Sequence, residues 1–142
     1  MDAIELGRKF AGAPFSPTRE TIREFCEASL DFNPLHLDDH YMAGAFGKTR
    51  FDGIIMHGMT NFGVISRMLT DWAYERGGVH RRLETRWKAP VKPGDTITPS
   101  AVPTASKRTG KARFVTLEVL VTNQRGETVA TGEAMIEFPL AG

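Results

Sequence analysis

A long amphipathic segment from Gly58 to Tyr74 constrains the fold of this chain more than any other part of the sequence. Its apolar side chains recur at steps of three and four residues, the spacing that places them on one side of an α-helix. Val64 adds apolar surface beside that stripe. A helix with so wide an apolar face is enclosed by other structure in a folded protein. The residues of the stripe are Met59, Phe62, Ile65, Met68, Leu69 and Trp72.

Four predicted strands follow this helix and can supply the enclosing structure. They lie at residues 79–90, 96–102, 112–122 and 127–138, and a further short strand is predicted near residues 8–15. In the first of them, apolar and charged side chains alternate with the period of two that is typical of a strand. A helix followed by a run of antiparallel strands is an α+β pattern. Periodicity alone leaves open whether the sheet wraps around the helix or lies flat with helices on one face.

Helical signals dominate the first half of the chain. Thr18 is a suitable N-cap for a helix, because its hydroxyl can accept from an exposed backbone N–H. We expect this helix to end near Asp31, since Pro34 disfavours helical geometry in the residue before it. A short helix is predicted near residues 38–44.

Composition limits the classes of function. The chain has 142 residues and a net charge of +1, so it lacks the basic excess of a dedicated nucleic-acid-binding protein. Its single cysteine, Cys26, excludes an intramolecular disulfide. We find no signal-peptide pattern and no apolar run near the ~20 residues that span a bilayer. We therefore expect one soluble, cytoplasmic domain over residues 1–142, with no nucleic-acid or membrane partner.

The densest polar stretch, residues 31–40, admits three interpretations. As a structural turn, its Asp and Asn side chains would bond to nearby backbone groups where a helix ends. As a metal site, it does not match a calcium loop, because His36 stands where the loop needs glycine and Met42 where it needs glutamate. The possible ligands of another metal are His36, Asp38, Asp39 and His40, with His57 as a distant fifth.

The third interpretation is acid–base catalysis by Asp31 and His36. The two side chains are five residues apart and converge if the chain turns at Pro34. A carboxylate and an imidazole that share one water molecule can accept its protons.

A second motif favours this third interpretation. It places Gly58 at the start of the long helix, where the first backbone N–H groups have no partner within the helix and the dipole is positive. Glycine also lets a substrate oxygen approach closely. This arrangement suits a carbonyl oxygen that becomes negative in a transition state. Close packing at the helix start is the structural alternative for this glycine.

These motifs together resemble the signature of the MaoC-like dehydratases, which include the (R)-specific enoyl-CoA hydratases. The first motif is Asp-Phe-Asn-Pro-Leu-His-Leu-Asp at residues 31–38, and the second is Met-His-Gly-Met at residues 56–59. The segment at residues 86–95 resembles the family's strand that ends in a Pro-Val-x-x-Gly-Asp turn. The resemblance spans residues 6 to 138.

The resemblance implies a hot-dog fold, in which a curved antiparallel sheet wraps one long central helix. It also implies a homodimer with sites at or near the subunit interface. Asp31 and His36 would activate the catalytic water, the Gly58 N–H would hold the thioester oxygen, and Asn33 and Ser66 would support the site. The implied reaction is the reversible hydration of a trans-2-enoyl thioester of coenzyme A or acyl carrier protein. It needs no metal and no cofactor.

Two features depart from the family pattern. Leu30 stands where family members often carry glycine before the catalytic aspartate. The spacer between Asp38 and His57 is slightly long, and its segment at residues 44–47 is expected to reshape the acyl pocket. Both features bear on the identity of the substrate more than on the reaction. We expect His57 to be structural.

Two other functions compete with hydration. A hot-dog thioesterase would direct water at the carbonyl carbon and release a free thiol. A non-catalytic acyl-binding subunit would lend a binding wall to a catalytic partner, and the intact pair of Asp31 and His36 argues against that role. Basic side chains could meet phosphates or an acidic carrier, or could be solvated surface charges. These are Lys88, Lys92, Lys107, Arg108 and Lys111.

Overall fold

The computed structural model describes residues 4–44 and 51–140. The segment at residues 44–47, which we expect to reshape the acyl pocket, therefore lies mostly outside the described residues. The helices are α1 (Arg19–Ser29), α2 (Asp39–Gly44) and α3 (Gly58–Tyr74), and a single 3₁₀ turn occupies Pro34–His36. The strands are β1 (Phe10–Ala11), β2 (Val79–Trp87), β3 (Ile97–Arg108), β4 (Ala112–Asn123) and β5 (Thr128–Pro139).

Helix α1 begins and ends close to where the sequence predicts. The Thr18 hydroxyl accepts from the Thr21 N–H at 3.1 Å, and the Thr21 hydroxyl accepts from the Thr18 N–H at 2.8 Å. This reciprocal capping box stabilises the first turn. The helix ends at Ser29, close to the predicted end near Asp31. Its C-cap Leu30 adopts a left-handed conformation with φ of 59°, which ends the helix, so the end does not depend on Pro34.

Helix α3 spans Gly58–Tyr74, as predicted from its apolar periodicity. Ile65, Met68 and Leu69 are buried on it and pack in the hydrophobic core with residues from the strands. Gly77, at a φ of 69°, turns the chain from this helix towards β2. Among the helices of the described segments, none has both the length and the apolar character needed to cross a bilayer.

The five strands form one antiparallel sheet in the order β1-β3-β4-β5-β2. Strand β5 therefore lies between β4 and β2, and the other edge of β2 has no partner strand in the described part of the chain. The predicted strand at 96–102 is too short, because β3 continues to Arg108. The short strand predicted near residues 8–15 is present as β1, with an isolated bridge from Phe15 to Ile97.

Helix α3 packs against the sheet and closes the core. The face of α3 that meets the sheet and the face of the sheet that meets α3 are both apolar. The central positions of β4 are fully buried at Val115, Leu117 and Val121. The same cluster holds Ile65 and Leu69 of α3. This is the hot-dog arrangement, so the wrapped alternative is confirmed and the flat one is excluded. The arrangement also sets the start of α3 beside the segment that follows α1.

Candidate active site

Asp31 lies in the turn after α1, and backbone groups fix its carboxylate. The Asp31 N–H donates to the Ser29 hydroxyl at 3.3 Å, and the Asn33 N–H donates to Asp31 Oδ1 at 3.2 Å. Oδ1 is therefore engaged, whereas Oδ2 points towards two histidines. The side chain is about half exposed, at 52%. Asn33 thus supports the carboxylate through its backbone.

His36 ends the 3₁₀ turn that Asn33 begins. The Asn33 side chain caps this turn by accepting from the Leu35 N–H at 3.2 Å. His36 is buried, and its Nδ1 lies 2.7 Å from the carbonyl oxygen of Ile55. A carbonyl can only accept, so Nδ1 carries the hydrogen and Nε2 of the neutral ring carries a lone pair. The acceptor nitrogen of His36 therefore faces the carboxylate.

The gap between Asp31 and His36 is suited to a water molecule. Asp31 Oδ2 and His36 Nε2 are 4.0 Å apart, which is too long for a direct hydrogen bond. Both atoms are acceptors when the imidazole is neutral, so neither can satisfy the other. One water placed between them can donate a hydrogen to each. The pair that the sequence predicts is thus brought together with room for the reacting molecule.

His57 is a third member of this cluster, and sequence reasoning gave it no place beside the pair. Its buried ring stacks on His36, with ring centroids 3.6 Å apart. Its Nε2 lies 3.3 Å from the backbone oxygen of Asp31 and 3.5 Å from the thiol of Cys26. Burial lowers the pKa of the His57 imidazole, and the hydrogen bond to Asp31 opposes that effect. The ring is therefore neutral at pH 7 and holds both catalytic candidates in position.

Gly58 begins α3 directly after His57. The His57 side chain makes no capping hydrogen bond, and no group in the described segments accepts from the Gly58 N–H. A Cβ atom on Gly58 would lie 2.6 Å from Nε1 of Trp87, so this position admits only glycine without a shift of the indole. A cavity of about 260 Å³ opens here and is lined by Gly58, Asn61, Trp87, Lys88 and Pro90, among others. The free N–H thus stands at a helix N-terminus beside a cavity.

Comparison with known proteins identifies the family of this chain. Residues 3–125 match the family described as MaoC like domain. The chain belongs to the MaoC-like domain family. It is 34% identical over 118 residues to the (R)-specific enoyl-CoA hydratase of Rhodospirillum rubrum, which covers 83% of this chain and 77% of that protein.

Two matches to proteins of Aeromonas caviae, one by sequence and one by structure, cover nearly the whole MaoC-like chain. Its (R)-specific enoyl-CoA hydratase is 31% identical over 137 residues, which is 96% of this chain and 97% of the relative. The solved (R)-hydratase from A. caviae has a TM-score of 0.80 and 31% identity, and the match covers 98% of this chain and 100% of that chain. The likeness therefore includes both the sequence and the hot-dog fold.

The other predicted residues of this MaoC-like chain take different places. Ser66 is half-buried two turns along α3 from Gly58, and no described hydrogen bond joins it to Asp31. Its supporting role stays a prediction. Lys88 lines the cavity beside Gly58, and Lys92 forms an ion pair of 3.9 Å with Asp52. The remaining basic candidates, Lys107, Arg108 and Lys111, lie at the β3–β4 hairpin.

The structure separates the residues of the alternative metal site. Asp38 accepts from the N–H groups of the first turn of α2, at His40 and Tyr41. Asp39 pairs with Arg19 at 2.7 Å, and a hydrogen bond from the Ile54 N–H lowers the pKa of its carboxyl, with Arg19 adding to the effect. These two carboxylates are therefore engaged by backbone N–H groups and by Arg19.

A different trio offers metal-ligand atoms within 4.8 Å of one another: Asp31, His36 and His57. A histidine that binds a metal usually donates its second N–H to an acceptor. His36 has this partner in Ile55, but His57 Nδ1 is buried with no hydrogen-bond partner in the described structure. Because one of its two histidines lacks this support, the trio fits a shared water better than a metal ion.

Proposed function

We propose that this MaoC-like domain catalyses the reversible hydration of a trans-2-enoyl thioester to the (R)-3-hydroxyacyl thioester. The observation that carries the proposal is the pair of acceptors, Asp31 Oδ2 and His36 Nε2, that face each other across 4.0 Å. The named (R)-specific hydratases among its relatives support both the reaction and its stereochemistry.

Each step has an assigned group. His36 Nε2 accepts one hydrogen bond from the water, while Asp31 takes the other proton as the water oxygen bonds to the β-carbon. The electron pair of the double bond moves towards the thioester carbonyl, and the Gly58 N–H stabilises the negative charge on its oxygen. Protonated Asp31 then returns the proton to the α-carbon. The net change is the addition of H and OH across the double bond, so the reaction consumes no further reagent.

The substrate carrier and the assembly belong to the same proposal. Coenzyme A is supported by the relatives' names, and an acyl carrier protein presents the same type of thioester. Lys88, at the cavity that holds Gly58, is placed to meet an anionic group of the carrier. The active unit is proposed to be a homodimer.

The test is hydration of crotonyl-CoA and of a longer trans-2-enoyl-CoA, followed by loss of enoyl absorbance. We expect Asp31→Asn and His36→Ala each to lower turnover by at least ~10²-fold, the low end for general acid–base groups. His40→Ala is the matched control, because His40 is exposed and its side chain lies outside the cluster. Chiral separation of the product then determines its configuration.

The same assay separates the competing functions. Near-normal rates in the Asp31 or His36 variants would contradict the assigned roles. Release of free thiol in place of hydration would favour a thioesterase. Thioester binding without turnover, rescued by a partner chain, would favour a non-catalytic subunit.

A further inference from the structure

Asn61 is a buried polar side chain in the wall of the cavity beside Gly58. It lies three residues after Gly58 on α3 and is 3% exposed. Most of the lining around it is apolar or aromatic, including Trp87, Pro90 and Val91. Each polar atom of a carboxamide that is removed from water in such a wall needs a hydrogen-bond partner.

The oxygen of this carboxamide has no such partner. Asn61 Oδ1 is buried and accepts no hydrogen bond in the described structure. A buried, unsatisfied acceptor costs stability, whereas a leucine of similar size would fill the space without that cost. A residue that lowers stability in a cavity wall points to a function at that site. A bound ligand could supply the hydrogen-bond donor that Asn61 Oδ1 lacks.

We infer that Asn61 binds the amide of the pantetheine arm that lies nearest to the thioester sulfur. The inference rests on the proposed function, since it takes an enoyl thioester as the ligand. A secondary amide offers one N–H donor and one carbonyl acceptor, which complement the two ends of a carboxamide. Asn61 is thus a positioning residue that holds the arm while the reacting carbonyl lies at Gly58.

The spacing of the two residues matches the spacing of the two groups. The side-chain positions of residues three apart on one helix face lie about 5–6 Å from each other. In the substrate, only the sulfur and two methylene groups separate the thioester carbonyl from the amide nitrogen. A carbonyl bound at Gly58 therefore leaves the amide within reach of Asn61.

This assignment defines what the cavity recognises. Coenzyme A and acyl carrier protein present the same pantetheine arm, so Asn61 favours pantetheine thioesters of either kind over simple alkyl thioesters. It does not contribute to the choice between the two carriers.

The experiment is a cycle between the amide and Asn61. Wild type and Asn61→Leu are assayed for hydration of the crotonyl thioester of N-acetylcysteamine and of an S-alkyl thiocrotonate of equal length that lacks the amide. We expect the wild type to prefer the amide thioester in kcat/KM by about 3- to 10-fold, as for one neutral hydrogen bond. In Asn61→Leu the ratio should fall to about 1, chiefly through KM.

Two further measurements separate binding from a structural role. Asn61→Leu should have a higher Tm than wild type, because it removes an unsatisfied buried acceptor. Thr60→Leu is the matched control, since Thr60 is the adjacent position on α3 and does not line the cavity. It should keep the wild-type preference for the amide.

The outcomes are distinct. An equal loss for both thioesters, no change in the ratio, or a lower Tm in Asn61→Leu would overturn the inference, because Asn61 would then serve the fold or a partner chain. If wild type hydrates neither these thioesters nor crotonyl-CoA, the proposed function fails. The inference is then decided by binding of the two saturated butyryl analogues.

That binding is read by NMR from the indole N–H of Trp87, one of two tryptophans in the chain and part of the cavity wall. The same preference for the amide analogue, lost in Asn61→Leu, would uphold the assignment without the reaction. The same affinity for both analogues, or no binding of either, would end it.

Discussion

Leu30 holds a backbone conformation that glycine adopts more easily. Its φ is 59°, and the side chain is 77% exposed, so little burial offsets the strain. Left-handed geometry costs an L-residue roughly 1–2 kcal/mol, whereas glycine is free of that penalty. The same residue fixes where α1 ends and where the Asp31 turn begins. This backbone conformation gives a physical reason to expect glycine at this position.

We predict that Leu30→Gly raises the free energy of unfolding by about 0.5–1 kcal/mol. The relief of strain exceeds the larger entropy of glycine in the unfolded chain. Urea unfolding followed by circular dichroism measures the change. Leu37→Gly is the control and should be destabilising, because Leu37 has a φ of −126°. A loss of stability in Leu30→Gly would mean that its side chain packs against another chain.

The buried His57 should make stability depend on pH. Its pKa is lowered in the folded chain, so between that value and the unfolded value of about 6.5 the unfolded chain binds more protons. The contribution of His57 to the free energy of unfolding is therefore fully present above pH ~6.5 and is lost as the pH decreases. For one proton, the free energy of unfolding falls by at most about 1.4 kcal/mol per pH unit.

The corresponding prediction compares two variants between pH 5 and pH 7. His57→Phe should reduce the loss of unfolding free energy on acidification relative to wild type, as measured by urea titration at each pH. His40→Phe, at an exposed position, should leave the pH dependence unchanged. Identical slopes for wild type and His57→Phe would show that the imidazole is not the group responsible.

Sequence reasoning reached part of this site. Asp31 and His36 are close in the chain, so a turn at Pro34 is enough to predict that they meet. His57 reaches them only because the start of α3 packs against the end of α1, a long-range contact that no local pattern encodes. Asn61 belongs to the predicted helix, but only the three-dimensional structure shows that its oxygen has no partner.

Two glycines test how tightly the elements pack. At Gly132 on β5, a Cβ atom would lie 2.0 Å from the backbone oxygen of Glu84 on β2. We predict that Gly132→Ala forces these strands apart and costs about 1–3 kcal/mol, the range for overpacking. Thermal and urea unfolding measure the loss. Unchanged stability would show that β2 can move aside freely.

Gly63 on α3 provides the opposite case with the same added methyl group. No atom lies within 4 Å of a Cβ atom at this exposed position. Gly63→Ala should therefore stabilise the chain by about 1 kcal/mol, the difference in helix propensity. A decrease instead would indicate that another chain packs against this face of α3.

The elements differ in how far local signals predict them. Helix α3 carries a strong apolar period and a glycine start, and its bounds are confirmed. Strand β3 contains Pro99 and Pro103, which normally interrupt a strand. Both prolines face the N-terminal segment at the sheet edge rather than β4, since Pro99 and Pro103 accept through their carbonyl oxygens from the N–H groups of Gly12 and Gly7. Their missing N–H therefore breaks no bond of the β3–β4 ladder. The length of β3 thus depends on its place in the sheet.

Part of the exposed apolar surface of the described chain lies at the end of α3 and along β2. Tyr74, Val79 and Trp87 are 77%, 52% and 47% exposed, and they lie at the end of α3 and on β2. The outer edge of β2 has no partner strand in the described structure, and such an edge is a template for pairing. We therefore expect a second copy to pair there.

The expected result in analytical ultracentrifugation is a homodimer, twice the 15.7 kDa chain. Val79→Lys together with Tyr74→Lys should shift the population to the monomer, because each dimer would gain buried like charges. Thr104→Lys, on the far side of the sheet, should not. A dimer that survives the double change would place the interface elsewhere.

Part of the architecture at this scale follows from the sequence. The α+β class comes from the order of helical and strand periods, and the turn at residues 123–126 predicts the β4–β5 hairpin. The choice between a wrapped and a flat sheet does not follow from the sequence, because it depends on the pairing of β2 with β5, and two other strands lie between them in the chain. The family resemblance supplied that choice, and the structure confirms it.

The position of β5 between β4 and β2 also has a consequence for synthesis on the ribosome. Strand β2 ends at Trp87, but its partner begins only at Thr128. During translation β2 has no strand to pair with until β5 has been synthesised. Until then, the apolar side of α3 stays partly uncovered. A nascent chain that stalls after β4 would present that surface to chaperones and to other chains.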